Sequence, residues 1–291
     1  MIEPVVYTAS TPGPRFLVIG AVHGNEKCGT AAIRRLIGDI DSGTVKIARG
    51  RVTFVPIANP RAYEADVRFT ERNLNRYLGR MEKPDTYEAR IGNVLCPLLE
   101  DCDVLLDIHS YTVGGAPFIL ANQGDAKGFD FARNLGGYTI MTGWAEAYAH
   151  SGRRKETSDE ESTGTTEYAR KFGAAALTIE CGQHKDPQAP EVAYQAIRNA
   201  LRYLNMVDEP SMARPAPSGS LLVTLTQVFY RDDEGHFPKN WKNLEPVTKG
   251  ETLAFHADGR PIPAPANGVI VMPRADTPLG EEWFYFGVAT K

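Results

Sequence analysis

The apolar run FLVIGAV (Phe16–Val22) leads directly into HGNE, so His23 and Glu26 arrive three residues apart at the end of a strand-like stretch. A second run, DVLLDIHS (Asp103–Ser110), delivers His109, and a third, AALTIE (Ala175–Glu180), ends in Glu180. In open α/β sheets, functional groups gather beyond the carboxyl ends of the strands. Two histidines and a carboxylate fill three positions of a tetrahedral zinc site and leave the fourth for water. Zinc lowers that water's pKa toward about 7 and polarises a carbonyl. Glu180 is then the carboxylate that takes the water's proton. These residues alone leave a second reading open, since HxxE pairs and strand-end histidines also occur as structural residues. Gly24 follows His23 and Lys27 follows Glu26, so neither HExxH nor HxxEH is present.

The segment NPRAYEADVRFTERNLNR (Asn59–Arg76) holds Arg61, Arg68, Arg72 and Arg76, with Asn73 and Asn75 among them. Arginine clamps carboxylates through two parallel hydrogen bonds and stabilises a developing oxyanion; a solvated basic loop has the same composition. Asp107 shares a strand face with His109, so it either orients that ring or belongs to a buried polar network. His184, four residues beyond Glu180, is a pocket-lining candidate. His236 and His256 read as surface residues. His150 reaches the site only if its loop folds over it.

These groups need elements to position them. Phe16–Ala21, Arg51–Ile57, Asp103–Ser110, PFIL, YTIM and AALTIE read as strands. Helical spacing marks Gly29–Ile40 and about 191–206. A third helical pattern starts after Asp85, with Glu88 three residues on as in a capping box. Its apolar face is Ile91, Val94, Leu95, Leu98 and Leu99, and Pro97 should kink or shorten it. Strands interleaved with helices predict an α/β layered domain with a largely parallel sheet over 1–208. DEPSMARPAPSGS (Asp208–Ser220) has linker composition, which puts a linker at 209–217 and a small all-β unit at 218–291. Gly143–Gly164 reads as a long surface loop.

The chain has 291 residues, 42% hydrophobic and 23% charged, with a net charge of −4. That size suits one large domain or two, and that charge gives no footprint for nucleic acid. No apolar run is long enough to span a membrane, and the N-terminus does not read as a signal peptide. Four cysteines (Cys28, Cys96, Cys102, Cys181), none in a CxxC pair, suit a reduced cytoplasmic protein.

Taken together, GAVHGNEKCG, then NPRA, Arg68 and NLNR, then DIHS, then LTIECGQ resemble, in that order, the motifs of the succinylglutamate desuccinylase/aspartoacylase family, relatives of the zinc carboxypeptidases. The resemblance implies a zinc-carboxypeptidase-like mixed sheet flanked by helices and followed by a small β-domain that narrows the site. It implies one zinc ion on His23, Glu26 and His109, and Glu180 as the general base that later protonates the leaving amine. Arg68 would hold the oxyanion, and Asn75 and Arg76 would grip the carboxylate of the amino-acid portion. Three positions depart from the pattern. Asn73 stands where an aspartate is frequent. Glu167 aligns with the arginine that aspartoacylase uses for the acyl carboxylate, with Arg170 close by; it could instead face a cationic or neutral acyl portion. Tyr285 is the candidate for the aspartoacylase β-domain tyrosine.

The expectation is a zinc-dependent deacylase of small N-acyl amino acids, with no nucleic-acid or membrane partner and a homo-oligomer left open. Cobalt or manganese would also suit the ligands. The rivals are a metallocarboxypeptidase for short peptides and a non-catalytic binding protein on the same fold.

Overall fold

The computed structural model describes residues 1–122, 124–150, 163–209 and 221–290. The first part of the chain forms β1 (Val5–Thr8), β2 (Thr11–Gly20), α1 (Cys28–Asp41), β3 (Arg49–Val55), α2 (Pro60–Ala65), α3 (Tyr87–Glu100) and β4 (Val104–Tyr111). Next come β5 (Phe118–Leu120), α4 (Ala126–Arg133), β6 (Thr139–Thr142), α5 (Trp144–His150), α6 (Thr165–Lys171), β7 (Ala175–Gln183) and α7 (Ala189–Tyr203). The C-terminal part forms β8 (Leu222–Tyr230), β9 (Glu245–Val247), β10 (Thr252–Phe255), β11 (Pro261–Pro263), β12 (Gly268–Val271) and β13 (Glu282–Thr290).

Eleven strands share one mixed sheet in the order β1-β3-β2-β4-β7-β5-β6-β8-β13-β12-β9, and β10 pairs with β11 separately. Its centre, β3-β2-β4-β7, is parallel. Both faces are covered, which is why these strands read as continuous apolar runs. Phe16, Val18, Leu106, Ile108, Leu177 and Ile179 pack with α1 and α7 residues on one face; Leu17, Ile19, Leu105 and Ala176 pack with α3 and α6 residues on the other. A fully buried side chain such as Phe16 contributes about 1.5–3 kcal/mol. The alternation assigns the odd residues of β4 and the even residues of β7 to the α3/α6 face. Asp107, His109 and Glu180 therefore lie on the same face.

Several expectations change. What read as a capping box at Asp85 and Glu88 is not one: the N-cap of α3 is Thr86, whose side chain accepts from Ala89 N. Glu88 is buried and bonded to a distant loop instead. Pro97 sits inside α3, which continues to Glu100, and Val94 is 48% exposed. The expected loop at Gly143–Gly164 contains α5 and leads into the start of α6; its residues 151–162 lie outside the described residues. The expected linker, 209–217, lies outside them too, except for Glu209. Beyond it, β8 pairs in parallel with β6, Ile140 opposite Leu222, so the C-terminal strands extend the same sheet. We propose that 218–291 is nonetheless a separate all-β unit joined to that sheet edge.

Candidate active site

At the carboxyl end of β2 the chain turns at Ala21, whose φ is +51°. That left-handed conformation is costly for a residue with a Cβ and is the kind of strain stored at functional sites. Gly24 follows, pressed against α2. A Cβ there would stand 2.0 Å from the Ala62 carbonyl carbon, so only glycine lets His23 and Glu26 lie this deep. Register brings in the other groups. β4 and β7 run parallel with His109 opposite Glu180. The next pair along the ladder is Tyr111 with Gln183, so β7 spends one extra residue there. This bulge coincides with Gly182 at φ +115° and aims Glu180 at the strand ends.

His23, Glu26 and His109 are all buried and offer ligand atoms within 4.8 Å of one another. The Glu26 carboxylate bridges the two rings: Oε1 lies 2.9 Å from His23 Nδ1 and Oε2 2.8 Å from His109 Nδ1. The outer nitrogens are tied back. His109 Nε2 lies 2.9 Å from Asp107 Oδ2, and His23 Nε2 lies 3.2 Å from Asn73 Oδ1. Thr165, the first residue of α6, donates its hydroxyl to the same Asp107 oxygen. Rings held by carboxylate or amide partners, with both Nδ1 atoms converging on a carboxylate, suit a borderline-soft divalent ion.

The electrostatics follow from burial and these contacts. Burial, with Arg68 assisting, pushes His23 down to about 4 against the pull of Glu26. Burial also opposes charge on His109, but Asp107 and Glu26 outweigh it and hold His109 well above the usual histidine value. Glu26 would be raised by burial, yet the two histidines hold it well below the carboxylate range. For Glu180, His109 and Arg68 pull downward but do not prevail. Burial first, and then the negative charge of Glu26, push it up to about 8, and its Oε2 has no hydrogen-bond partner among the described residues.

The arginine-rich segment stands over this cluster. Arg68 Nη1 donates to Glu26 Oε1 at 3.0 Å, and the Arg68 side chain is 45% exposed. Glu88 holds the loop from below. Its carboxylate accepts from Thr70 N (2.8 Å), Thr70 Oγ1 (2.7 Å), Glu71 N, Arg72 N and Asn59 Nδ2. Asn75 Oδ1 accepts from Thr165 N at 3.0 Å, and Arg76 Nη1 donates to Asn75 O at 2.9 Å. One network therefore runs from His109 through Asp107 and Thr165 to Asn75. Arg76 makes no ion pair with any described residue. Burial weakens its charge, and the facing Tyr148, Tyr285, Glu282 and Glu167 more than restore it.

Those groups form the wall beside Arg76. The Tyr285 hydroxyl lies 2.7 Å from that of Tyr148, which donates to Glu282 Oε1 at 2.9 Å. The Trp144 ring lies 4.6 Å from that of Tyr285. Glu167 is half exposed and accepts from Gly164 N at the start of its own helix and from Arg170. Its carboxylate is thus engaged locally while its field reaches Arg76. His184 is near the cluster: its Nδ1 lies 2.8 Å from Ser110 Oγ, and Ser110 N donates to Glu26 Oε2. His236 stacks on Phe255, and His256 pairs with Asp233; both sit in the C-terminal part, in loops between its strands. His150 is the last residue of α5.

Sequence reasoning missed Thr165, Ser110, Trp144, Tyr148, Glu282 and the staple made by Glu88. Glu282 could have been found by its place in EEWFYFG beside Tyr285. The others carry no local signal.

Comparison with known proteins agrees with this architecture. Residues 12–207 match the family model for the succinylglutamate desuccinylase/aspartoacylase catalytic domain. A succinylglutamate desuccinylase of Vibrio parahaemolyticus is 26% identical over 293 residues, covering 97% of this chain and 82% of that protein. An N-acyl-aromatic-L-amino acid amidohydrolase (carboxylate-forming) of Xenopus laevis is 27% identical over 140 residues, 44% of this chain and 43% of that protein. The fold is shared with a succinylglutamate desuccinylase/aspartoacylase structure from Rhodobacter sphaeroides, at a TM-score of 0.80 and 19% identity, covering 99% of this chain and 90% of that one. With its catalytic-domain match spanning most of the sequence, the chain belongs to the succinylglutamate desuccinylase/aspartoacylase family.

Proposed function

We propose that this chain is a zinc-dependent amidohydrolase that cleaves the amide of a small N-acyl amino acid to a carboxylate and a free amine. The observation that carries the reading is the buried His23–Glu26–His109 cluster, with Glu180 in register beside it and its Oε2 unpartnered among the described residues. Both named relatives act, by their names, on an acyl group joined to an amino acid, and that bond is the one proposed here.

His23, Glu26 and His109 would hold the ion, which when bound lowers the pKa of water and polarises a carbonyl. Glu180 takes the proton of the attacking water at its unpartnered Oε2 and returns it to the departing amine nitrogen. Arg68, half exposed beside Glu26, donates to the oxygen on which negative charge develops. Asn75 and Arg76 bind the carboxylate of the amino-acid portion; a largely buried guanidinium with no described counter-ion suits that task. Tyr285 and Glu167 line the same end. Asp107 fixes the His109 ring. A reducing cytoplasm suits the four thiols, all buried and unbridged.

The test is free-amine release from N-acyl amino acids and dipeptides by metal-loaded protein, with a chelated control. Chelator-sensitive release from N-acyl amino acids supports the reading; cleavage of dipeptides alone overturns it in favour of a carboxypeptidase. Glu180→Gln should keep the metal and lose nearly all turnover, and substantial activity in that variant removes Glu180 from the mechanism.

A further inference from the structure

The two candidate histidine ligands are tied, by their outer nitrogens, to groups that converge on one residue. His23 Nε2 lies 3.2 Å from Asn73 Oδ1, and the same oxygen accepts from Asn75 N at 3.0 Å. His109 Nε2 lies 2.9 Å from Asp107 Oδ2, which also accepts from the Thr165 hydroxyl. Thr165 then donates its own N–H to Asn75 Oδ1 at 3.0 Å. Asn75 is thus reached from both histidines, through its backbone on one side and its side chain on the other. Its carbonyl accepts from Arg76 Nη1 at 2.9 Å. Asp107 and Thr165 are fully buried, so their bond is shielded from water and strong for that reason.

The local structure explains why Thr165 is the joint. It is the first residue of α6, and the N-cap before it is Gly164, which has no side chain to offer the helix. Orphan N–H groups at a helix start need an acceptor, and Asn75 Oδ1 answers the one on Thr165. A Cβ on Gly164 would stand 2.5 Å from that same oxygen, so the bare backbone is what lets Asn75 approach. Leu78 N donates to Thr163 O at 2.9 Å, and Tyr77 and Thr163 form a parallel bridge. The start of α6 and residues 75–78 are therefore docked together, and the Thr165 hydroxyl ties them to Asp107 on β4.

We infer that Thr165 is a positioning residue that couples the two halves of the site: a metal ion on His23, Glu26 and His109 orders Asn75 and Arg76 for the substrate carboxylate, and the carboxylate in turn tightens the metal. The inference rests on the metal and carboxylate roles proposed above. With Nδ1 of each ring given to a metal, the ring proton stands on Nε2. Both outer nitrogens then donate, to Asn73 and to Asp107, and both chains of contacts are fixed at once. Coupling between two sites is reciprocal, and changes along such a chain shift it about 2- to 30-fold.

Amide hydrogen exchange with zinc alone reads the coupling without a substrate. In wild type, zinc should slow exchange in peptides covering 73–78 and 163–168 by about 2- to 30-fold, beyond any change in a peptide covering 252–263. Thr165→Val removes the hydroxyl and keeps the N–H. It should lose that slowing and weaken zinc binding, measured against a chromophoric chelator, by a factor in the same range. Thr165→Ser should restore both. Gly164→Ala cuts the chain at its other end, by pushing the Asn75 amide away from Thr165 N. It should keep zinc affinity, lose the slowing at 73–78, and raise KM of the zinc-saturated enzyme more than it lowers kcat. Trp241→Phe deletes a buried hydrogen bond to Leu253 O in the C-terminal part and should change none of these. Zinc that binds without slowing 73–78 and 163–168 overturns the inference alone, and so do wild-type zinc affinity and slowing in Thr165→Val. Absence of zinc binding overturns the proposed function together with it.

Discussion

Asp107→Asn tests whether the fold holds His109 as a metal ligand. In the native protein Asp107 is fully buried, and its Oδ2 takes both the His109 Nε2 contact and the Thr165 hydroxyl. Its Oδ1 has no partner. An asparagine can keep the carbonyl oxygen at the Oδ2 position, so the ring stays roughly in place. The amide nitrogen then falls at the Oδ1 position, where it meets no acceptor. A buried donor left unpaired costs about 1–3 kcal/mol of stability. The lost charge also makes the His109 ring a weaker donor to metal. Partners of this kind are worth about 10- to 100-fold in affinity, or roughly 1.4–2.8 kcal/mol. Urea unfolding measures the first effect, and zinc titration against a chromophoric chelator measures the second. A variant that binds zinc as tightly as wild type would refute the reasoning, because His109 would then not depend on Asp107.

Further outcomes follow from the same contacts. Glu88→Gln should cost about 1.5–3 kcal/mol by denaturant unfolding, since a buried carboxylate loses charge-assisted bonds, and should lower kcat/KM by loosening the Arg68 loop. Burial alone would raise Glu88, but Thr70 and Asn59 outweigh it and hold it below its ordinary 4.5. A depressed folded value gives stability that is present above 4.5 and lost as pH falls through the folded value; the acid limb of the wild-type stability curve should therefore be steeper than that of Glu88→Gln. Tyr285→Phe removes the hydroxyl 2.7 Å from Tyr148. It should raise KM with little change in melting temperature, and an unchanged KM would take Tyr285 out of the binding wall. Zinc at 100 times its Kd should raise the unfolding free energy by about 2.7 kcal/mol, and His23→Ala should abolish that rise.

Much of the frame was legible because its signals are local. Continuous apolar runs marked β2, β4 and β7 because both faces of the central sheet are buried, and polar residues begin where that burial ends. The order of His23, Glu26, the arginines, His109 and Glu180 along the chain was therefore readable, and so was the family. Glu88 shows how a local pattern misleads. Its spacing from Asp85 fits a capping box, but the loop at Thr70–Arg72 offers its carboxylate better donors.

Only the tertiary structure decided the register of β4 on β7, the bulge at Gly182, and the pairing of Asp107 with a hydroxyl 58 residues away. Tyr148 and Tyr285 meet across 137 positions, and Met272 is tied to Gly114 through Asn243. Sequence periodicity reports which face of an element is buried, because burial acts on each residue by itself. Which polar group answers which depends on strand order and register, and packing of the whole chain fixes those.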